Sequence, residues 1–251
     1  MVVTAWAQFA LDSVVARDER NLNIAKVEVD PRLARLAQLV RERLAGAPAC
    51  HDADHTFRVL HNAMEIAGRE TGVDLAVITA AALLHDLGRA EEMAQQGKVC
   101  HAMLGAELAP RMLHECGFTD PTFIAHVAGC VRTHRFRGEM SPATLEAKVI
   151  YDADKLDSIG AIGIGRAFHF AGRIGARVHN RADEALAGAS YGREDSAYRE
   201  YLVKLRKVKD GMLTVAGREL AAARAARMEQ FFAALNEEVF GVQDPDCTLA
   251  K

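Results

Sequence analysis

The sequence predicts an all-α protein: one helical bundle with additional helices towards its C-terminus. Three observations carry this. Cap residues recur ahead of stretches with apolar residues at 3.6-residue spacing. Alanine is abundant while aromatic residues make up only 6% of the chain, which favours helix over sheet. No run alternates apolar and polar residues at strand period for long.

The elements follow in order. Pro31 suits the first turn of a helix over 31–45. A second helix starts near Asp54 and continues to about Thr71, with Gly72 as its stop. Asp74 caps a third, apolar helix running to Leu87 and ending at Gly88. Residues 89–99 read as a loop. The next helix spans 101–116, closed by Gly117. Asp120-Pro121 opens a helix to about His134, and Ser141-Pro142 opens another through Asp154 towards Ile159. Residues 160–175 hold five glycines and give no clear pattern, and 177–192 read as an exposed loop with partial helix. Two last helices cover 194–209 and 216–240. No internal repeat, low-complexity stretch or convincing linker interrupts them. The expected organisation is an N-terminal extension over 1–30, one domain over 31–240 and a tail over 241–251.

Composition narrows the function. The chain has 251 residues, enough to bury a sizeable core without staples. A net charge of -3 argues against a nucleic-acid polymer or membrane surface as partner, since both call for a basic excess. The five cysteines (Cys50, Cys100, Cys116, Cys130 and Cys247) are scattered and never spaced CxxC, so a disulfide framework and a Cys zinc site are not expected. Reduced thiols in a cytoplasmic protein are the expectation. The N-terminus carries Asp12 and lacks a basic segment before an apolar run, unlike a signal peptide. The apolar run 75–84 is too short to span a membrane. A homo-oligomer remains open.

Histidines and aspartates carry the chemistry. His51 and His55 lie at a helix start. His85 and Asp86 end an otherwise apolar helix, where a negative side chain opposes the macrodipole and burial costs desolvation. A bound cation would offset both. Asp152, Asp154 and Asp157 crowd three carboxylates into six residues, which repel unless something positive lies nearby. Two imidazoles and two carboxylates form a mixed N/O ligand set, suited to manganese, iron, zinc, nickel or cobalt and less to magnesium. Each feature alone has a bland explanation, because a single His on an apolar helix is more often a core residue than a ligand.

The order and spacing are more specific. The stretches His51-Asp52-Ala53-Asp54-His55-Thr56-Phe57-Arg58-Val59, Ala81-Ala82-Leu83-Leu84-His85-Asp86-Leu87-Gly88 and Asp152-Ala153-Asp154-Lys155-Leu156-Asp157 resemble the HD-domain superfamily of metal-dependent phosphohydrolases. The lead-in Glu146-Ala147-Lys148-Val149-Ile150 and the string Leu156-Asp157-Ser158-Ile159-Gly160-Ala161-Ile162-Gly163 look like a bacterial subgroup containing nucleotide pyrophosphohydrolases. Thr214, Arg224 and residues 228–231 resemble its closing helix. The similarity covers about 47–240 and departs from the subgroup at 199–205 and at Leu213, which bears on substrate preference rather than on the metal.

Carried over, the resemblance implies a divalent metal (manganese, nickel, cobalt, iron, zinc or magnesium) held by His55, His85, Asp86 and Asp154. Asp152 is the fallback for the fourth ligand, since it points about 200° away from Asp154 on a regular helix. His55 is preferred to His51, which precedes the cap. The implied reaction is attack of a metal-activated water on a nucleotide, a nucleoside triphosphate first, or on another small phosphate ester. Lys155, Arg58, His101 and His134 are the candidates for stabilising phosphate charge or moving protons. Arg166 has a structural ion pair as its bland alternative.

Several motifs exclude themselves. Gly163-Ile164-Gly165 is no dinucleotide fingerprint, because no strand precedes it. Ser158 and Ser196 have no evident base partner. Two other classes remain in play. One is a dinuclear-iron HD-type oxygenase in which His101 and His134 supply further ligands. The other is a non-catalytic metal or nucleotide sensor, although such modules usually lack a ligand.

Overall fold

The computed structural model describes residues 30–45, 52–135 and 140–241. Every element in them is helical. The expected extension and tail, with His51, Cys50 and Cys247, lie almost wholly or wholly outside the described residues. The chain divides into two compact units, Met1–Asp154 and Lys155–Lys251.

The first unit holds α1 (Pro31–Arg43), α2 (Ala53–Ala67), α3 (Leu75–Leu84), α4 (Arg89–Ala94), α5 (His101–Glu115), α6 (Pro121–Thr133) and most of α7 (Leu145–Leu156). Aspartates start the helices much as the sequence suggests. Asp30, Asp74 and Asp120 each accept from backbone amides of the first turn. Asp52, rather than Asp54, caps α2 by accepting from the His55 amide at 3.0 Å. This fixes the first turn that carries His55.

Helix α3 is the hub of this unit. It packs against α1, α2 and α6, while α5 pairs with α6. A helix surrounded on all sides must be apolar all round. Accordingly Val77, Ile78, Ala80, Ala81, Ala82, Leu83 and Leu84 are all buried. Asn62 of α2 reaches α7 by donating to the Ala153 carbonyl at 3.1 Å. Glu146, buried in the first turn of α7, accepts from the Asp74 amide at 3.0 Å and lies 3.3 Å from His126.

The second unit contains α8 (Gly160–Arg173), α9 (Ala182–Ala187), α10 (Ala197–Val203), a 3-10 helix (Leu205–Gly211) and α11 (Val215–Phe240). Helix α11 packs on α8 and on the 3-10 helix. Its core stacks Tyr198, Tyr201 and Phe232. Thr214 caps α11 by accepting from the Gly217 amide, and Arg224 donates to the Leu156 carbonyl at the end of α7.

Several boundaries differ from the sequence reading. Helix α1 stops at Arg43, and α2 stops at Ala67 with Gly68 as its cap. Residues 89–94 form the short helix α4, not loop. Ser141-Pro142 does not open a helix, which starts at Leu145. The glycine-rich 160–175 stretch is mostly the regular helix α8. There, a Cβ at Gly163 would lie 2.3 Å from the Ser158 carbonyl oxygen, so glycine is needed for close approach. The expected helix over 194–209 breaks at Lys204 into α10 and the 3-10 turn.

The buried carboxylate of Glu146 satisfies an amide at the start of the hub helix. Replacing it with Ala leaves that amide without its acceptor, so Glu146→Ala is expected to cost about 1–3 kcal/mol in urea unfolding. A loss below about 0.5 kcal/mol, typical of surface changes, would contradict this role.

Candidate metal centre

Helix ends of the first unit deliver the site. His55 is in the first turn of α2, and His85 and Asp86 follow the last turn of α3. Asp154 lies in α7, His101 begins α5, and His134 caps α6 at its C-terminus. All but Asp154 are buried, and its side chain is one-fifth exposed.

The Asp86 carboxylate stands between two sets of imidazoles. Its Oδ2 lies 3.6 Å from His55 Nε2 and 4.0 Å from His85 Nε2. Its Oδ1 lies 3.1 Å from His101 Nε2 and 3.8 Å from His134 Nε2. Within the sets, the His55 and His85 Nε2 atoms are 3.3 Å apart, and those of His101 and His134 are 3.1 Å apart. Asp154 Oδ1 sits 3.6 Å from His55 Nε2. Two groups therefore bring ligand atoms within 4.8 Å of one another: His55, His85, Asp86 and Asp86, His101, His134.

The tautomers suit ligation. His85 Nδ1 donates to the Ala82 carbonyl and His134 Nδ1 to the Val131 carbonyl, each at 2.7 Å. In its neutral form each ring then presents an Nε2 lone pair to the cluster. Burial, then the charge of His85, pushes the His134 pKa down to about 3, against weaker opposing pulls from Asp154 and Asp86. The ring is neutral at neutral pH, as a ligand must be.

A fit test follows from bond lengths. Metal bonds of about 2.1 Å put neighbouring ligand atoms about 3.0–3.4 Å apart, in octahedral or tetrahedral arrangement. The observed spacings of 3.1–4.0 Å need only small side-chain adjustment. The donor chemistry agrees, being imidazole nitrogens and carboxylate oxygens. The residues present therefore fit a divalent cation at His55, His85 and Asp86, with Asp154 beside His55, and a second at Asp86, His101 and His134.

Charge around Asp86 extends outward through α4. Arg89 Nη2 lies 3.3 Å from Asp86 Oδ1, and Arg89 Nη1 donates to Glu92 Oε2 at 2.7 Å. Glu92 Oε2 also accepts from His101 Nδ1 at 2.8 Å, and Glu92 Oε1 accepts from Arg135 at 2.7 Å. Partial burial pushes the Glu92 pKa up, but the His101 hydrogen bond and the charges of His101, Arg89 and Arg135 outweigh it and hold it at about 2.

The candidates named from sequence fall out as follows. His55, His85, Asp86 and Asp154 come together, and His101 and His134 form the second set around the same carboxylate. Arg58 is half-buried, three residues beyond His55 on α2. Lys155 follows Asp154 on α7 and is half-buried. Asp152 is fully buried, and neither it nor Asp154 belongs to the two ligand groups, although Asp154 lies beside His55. Asp157 receives Arg166 at 2.6 Å, the structural ion pair named as the alternative for that arginine. Glu92, Arg89 and Arg135 escaped the sequence reading. Arg135 directly follows His134, and Arg89 and Glu92 sit three apart on a helix that was read as loop.

Placement is set by one close approach. A Cβ at Gly88 would lie 2.6 Å from the His101 carbonyl oxygen and 3.0 Å from the Gly105 amide nitrogen. Only glycine lets the turn after Asp86 touch the first turn of α5 this closely. This contact brings His101 to Asp86.

These features describe a helical protein with buried His/Asp clusters that could hold a metal ion. The HD domain family matches residues 52–159, which contain every residue of the centre. The protein YpgQ of Bacillus subtilis is 33% identical over 213 residues, covering 81% of this chain and 91% of YpgQ. The chain belongs to the HD-domain family. The crystal structure of Bacillus subtilis YpgQ in complex with ADP superposes with a TM-score of 0.61 at 30% identity, covering 84% of this chain and 96% of that one. A predicted HD superfamily hydrolase from an uncultured Thermotogales bacterium gives a TM-score of 0.61 at 31% identity, covering 84% and 95%. Ribonuclease Y of Protochlamydia amoebophila is 28% identical over 186 residues, which are 74% of this chain and 27% of that enzyme. Among the described residues no helix is long and apolar enough to cross a membrane.

Because His134 is held neutral, unfolding it in acid takes up a proton. Its contribution is complete above the ordinary value of 6.5 and is lost as pH falls from there towards about 3. In metal-free protein, unfolding free energy should therefore fall with pH below about 6.5, more steeply than in His134→Asn by up to about 1.4 kcal/mol per pH unit. Equal slopes in the two proteins would contradict a neutral buried ring.

Proposed function

We propose that this protein is a metal-dependent phosphohydrolase acting on a nucleotide, a nucleoside triphosphate first, or on another small phosphate ester. The observation behind it is the convergence of His55, His85, Asp86 and Asp154 within the HD-matched segment. Bound there, a divalent cation supplies a lowered water pKa and a polarised phosphoryl oxygen. The protein's own residues do the rest. His85 holds its proton on Nδ1 through the Ala82 carbonyl and so keeps Nε2 directed at the cation. Arg58 and Lys155, neighbours in sequence of His55 and Asp154, are assigned to the phosphate oxygens. The ADP complex of YpgQ supports the choice of a nucleotide.

The two oxygens of Asp86 favour a second reading of the same centre. With each facing its own pair of imidazoles, the carboxylate can bridge two cations, the second taken by His101 and His134. Without a second cation, those histidines are left as phosphate-facing groups. With two irons instead, oxidative chemistry becomes the competing activity.

A panel of nucleoside tri- and diphosphates and simple phosphate esters, assayed with manganese, nickel, cobalt, iron, zinc and magnesium in turn, tests the function. Release of phosphate or pyrophosphate is expected with at least one metal, and Asp86→Ala should abolish both turnover and metal binding. Two irons per chain with oxygen consumption and no phosphate release would shift the assignment to an oxygenase. Metal binding without any turnover would leave a sensor.

The fourth ligand has its own test. Asp154→Asn should lose metal at micromolar supply, while Asp152→Asn should retain it with turnover lowered by about 10–100-fold. The reverse pattern would move the ligand to Asp152 and remove Lys155 from the phosphate.

A further inference from the structure

Three histidines of the centre have Nδ1 partners of two different kinds. His85 and His134 follow the last turns of α3 and α6, where helix carbonyls lack amide partners. Each uses the carbonyl three residues back, Ala82 or Val131. These tautomers are set by the backbone. His101 is the first residue of α5, so no helical carbonyl precedes it. Its Nδ1 meets side chains only: the Glu92 carboxylate at 2.8 Å and the Arg135 guanidinium at 3.1 Å.

Those two partners make opposite demands. A carboxylate can only accept, so Glu92 places a proton on Nδ1 and leaves Nε2, which stands 3.1 Å from Asp86 Oδ1, as the nitrogen that can give up its proton to a cation. A guanidinium can only donate, so Arg135 alone would place the proton on Nε2 and close that nitrogen to a cation. Glu92 prevents this by engaging both. Its Oε2 accepts from His101, while its Oε1 draws Arg135 Nη1 to 2.7 Å. It also accepts from Arg89, whose other terminal nitrogen stands 3.3 Å from Asp86 Oδ1.

We propose that Glu92 is the positioning residue that makes His101 a metal ligand, by holding its proton on Nδ1 against Arg135, and so permits a second divalent cation at Asp86, His101 and His134. This rests on the two-cation reading of the centre. It assigns α4 a function: the helix carries a carboxylate in place of the backbone carbonyl that His101 lacks. Loss of a group that orients a ligating histidine weakens metal binding by about 10–100-fold. The effect should fall on the second cation alone, because Glu92 has no contact with His55 or His85 among the interactions described for it.

The test uses the full chain and manganese. In metal-free, histidine-labelled protein, nitrogen NMR should show His101 Nδ1 protonated in the wild type and unprotonated in Glu92→Ala. Manganese titration should count two ions in the wild type. Glu92→Ala should keep the first ion and bind the second about 10–100-fold more weakly. The double variant Glu92→Ala with Arg135→Ala should recover much of the lost affinity, because the competing donor has gone. A merely structural role for Glu92 predicts no such recovery. Unchanged affinity for the second ion in Glu92→Ala, with two ions in the wild type, overturns the proposal and leaves the two-cation reading standing. A single ion in the wild type overturns both. If Glu92→Ala does not fold, the wild-type spectrum decides alone: a His101 Nδ1 without a proton overturns the proposal.

Discussion

A buried carboxylate surrounded by imidazole nitrogens governs this molecule. Asp86 is almost inaccessible to solvent and lies 3.1–4.0 Å from four Nε2 atoms. Water cannot stabilise its charge, and Arg89 approaches only one of its oxygens. Ring nitrogens crowd both sides. Such an arrangement is costly when folded empty and becomes favourable when cations neutralise it. The fold around it can be understood as the framework that keeps those groups together in spite of their repulsion.

That framework is economical. The apolar hub helix α3 ends at the site, so its burial energy holds His85 and Asp86 in place. Asp52 caps α2 through the His55 amide and orients the first turn that carries the ligand. Gly88 lets α5 approach the Asp86 turn, and the α5–α6 pair carries His101 and His134 to the same point. Backbone groups, which do not titrate, fix two of the rings. His101 instead meets a side chain, which α4 supplies.

Much of this was legible in the sequence for a physical reason. Aspartate caps and apolar periodicity are local signals and carried the all-helical class, a His-Asp pair at the end of a fully apolar helix pointed to His85 and Asp86, and the family resemblance supplied the rest of the proposed ligand set. Other features depend on distant contacts. The helix at 89–94 has no buried residue, so it lacks the apolar stripe by which helices are recognised. The glycines of 160–175 look like breakers, yet Gly163 is required by the close Ser158 carbonyl inside a regular helix. Ser141-Pro142 carried a start signal without a helix behind it. The partnership of Glu92, Arg135 and His101 joins residues up to 43 apart, which no local pattern reveals.

The cation proposed at Asp86 can be sought directly. Crystals grown with manganese, measured at the metal's absorption edge, should show an anomalous peak at bonding distance from His55 Nε2, His85 Nε2, Asp86 Oδ2 and Asp154. Manganese seated elsewhere on the protein, with Asp86 still engaged by Arg89 and no peak between the histidines, would contradict it.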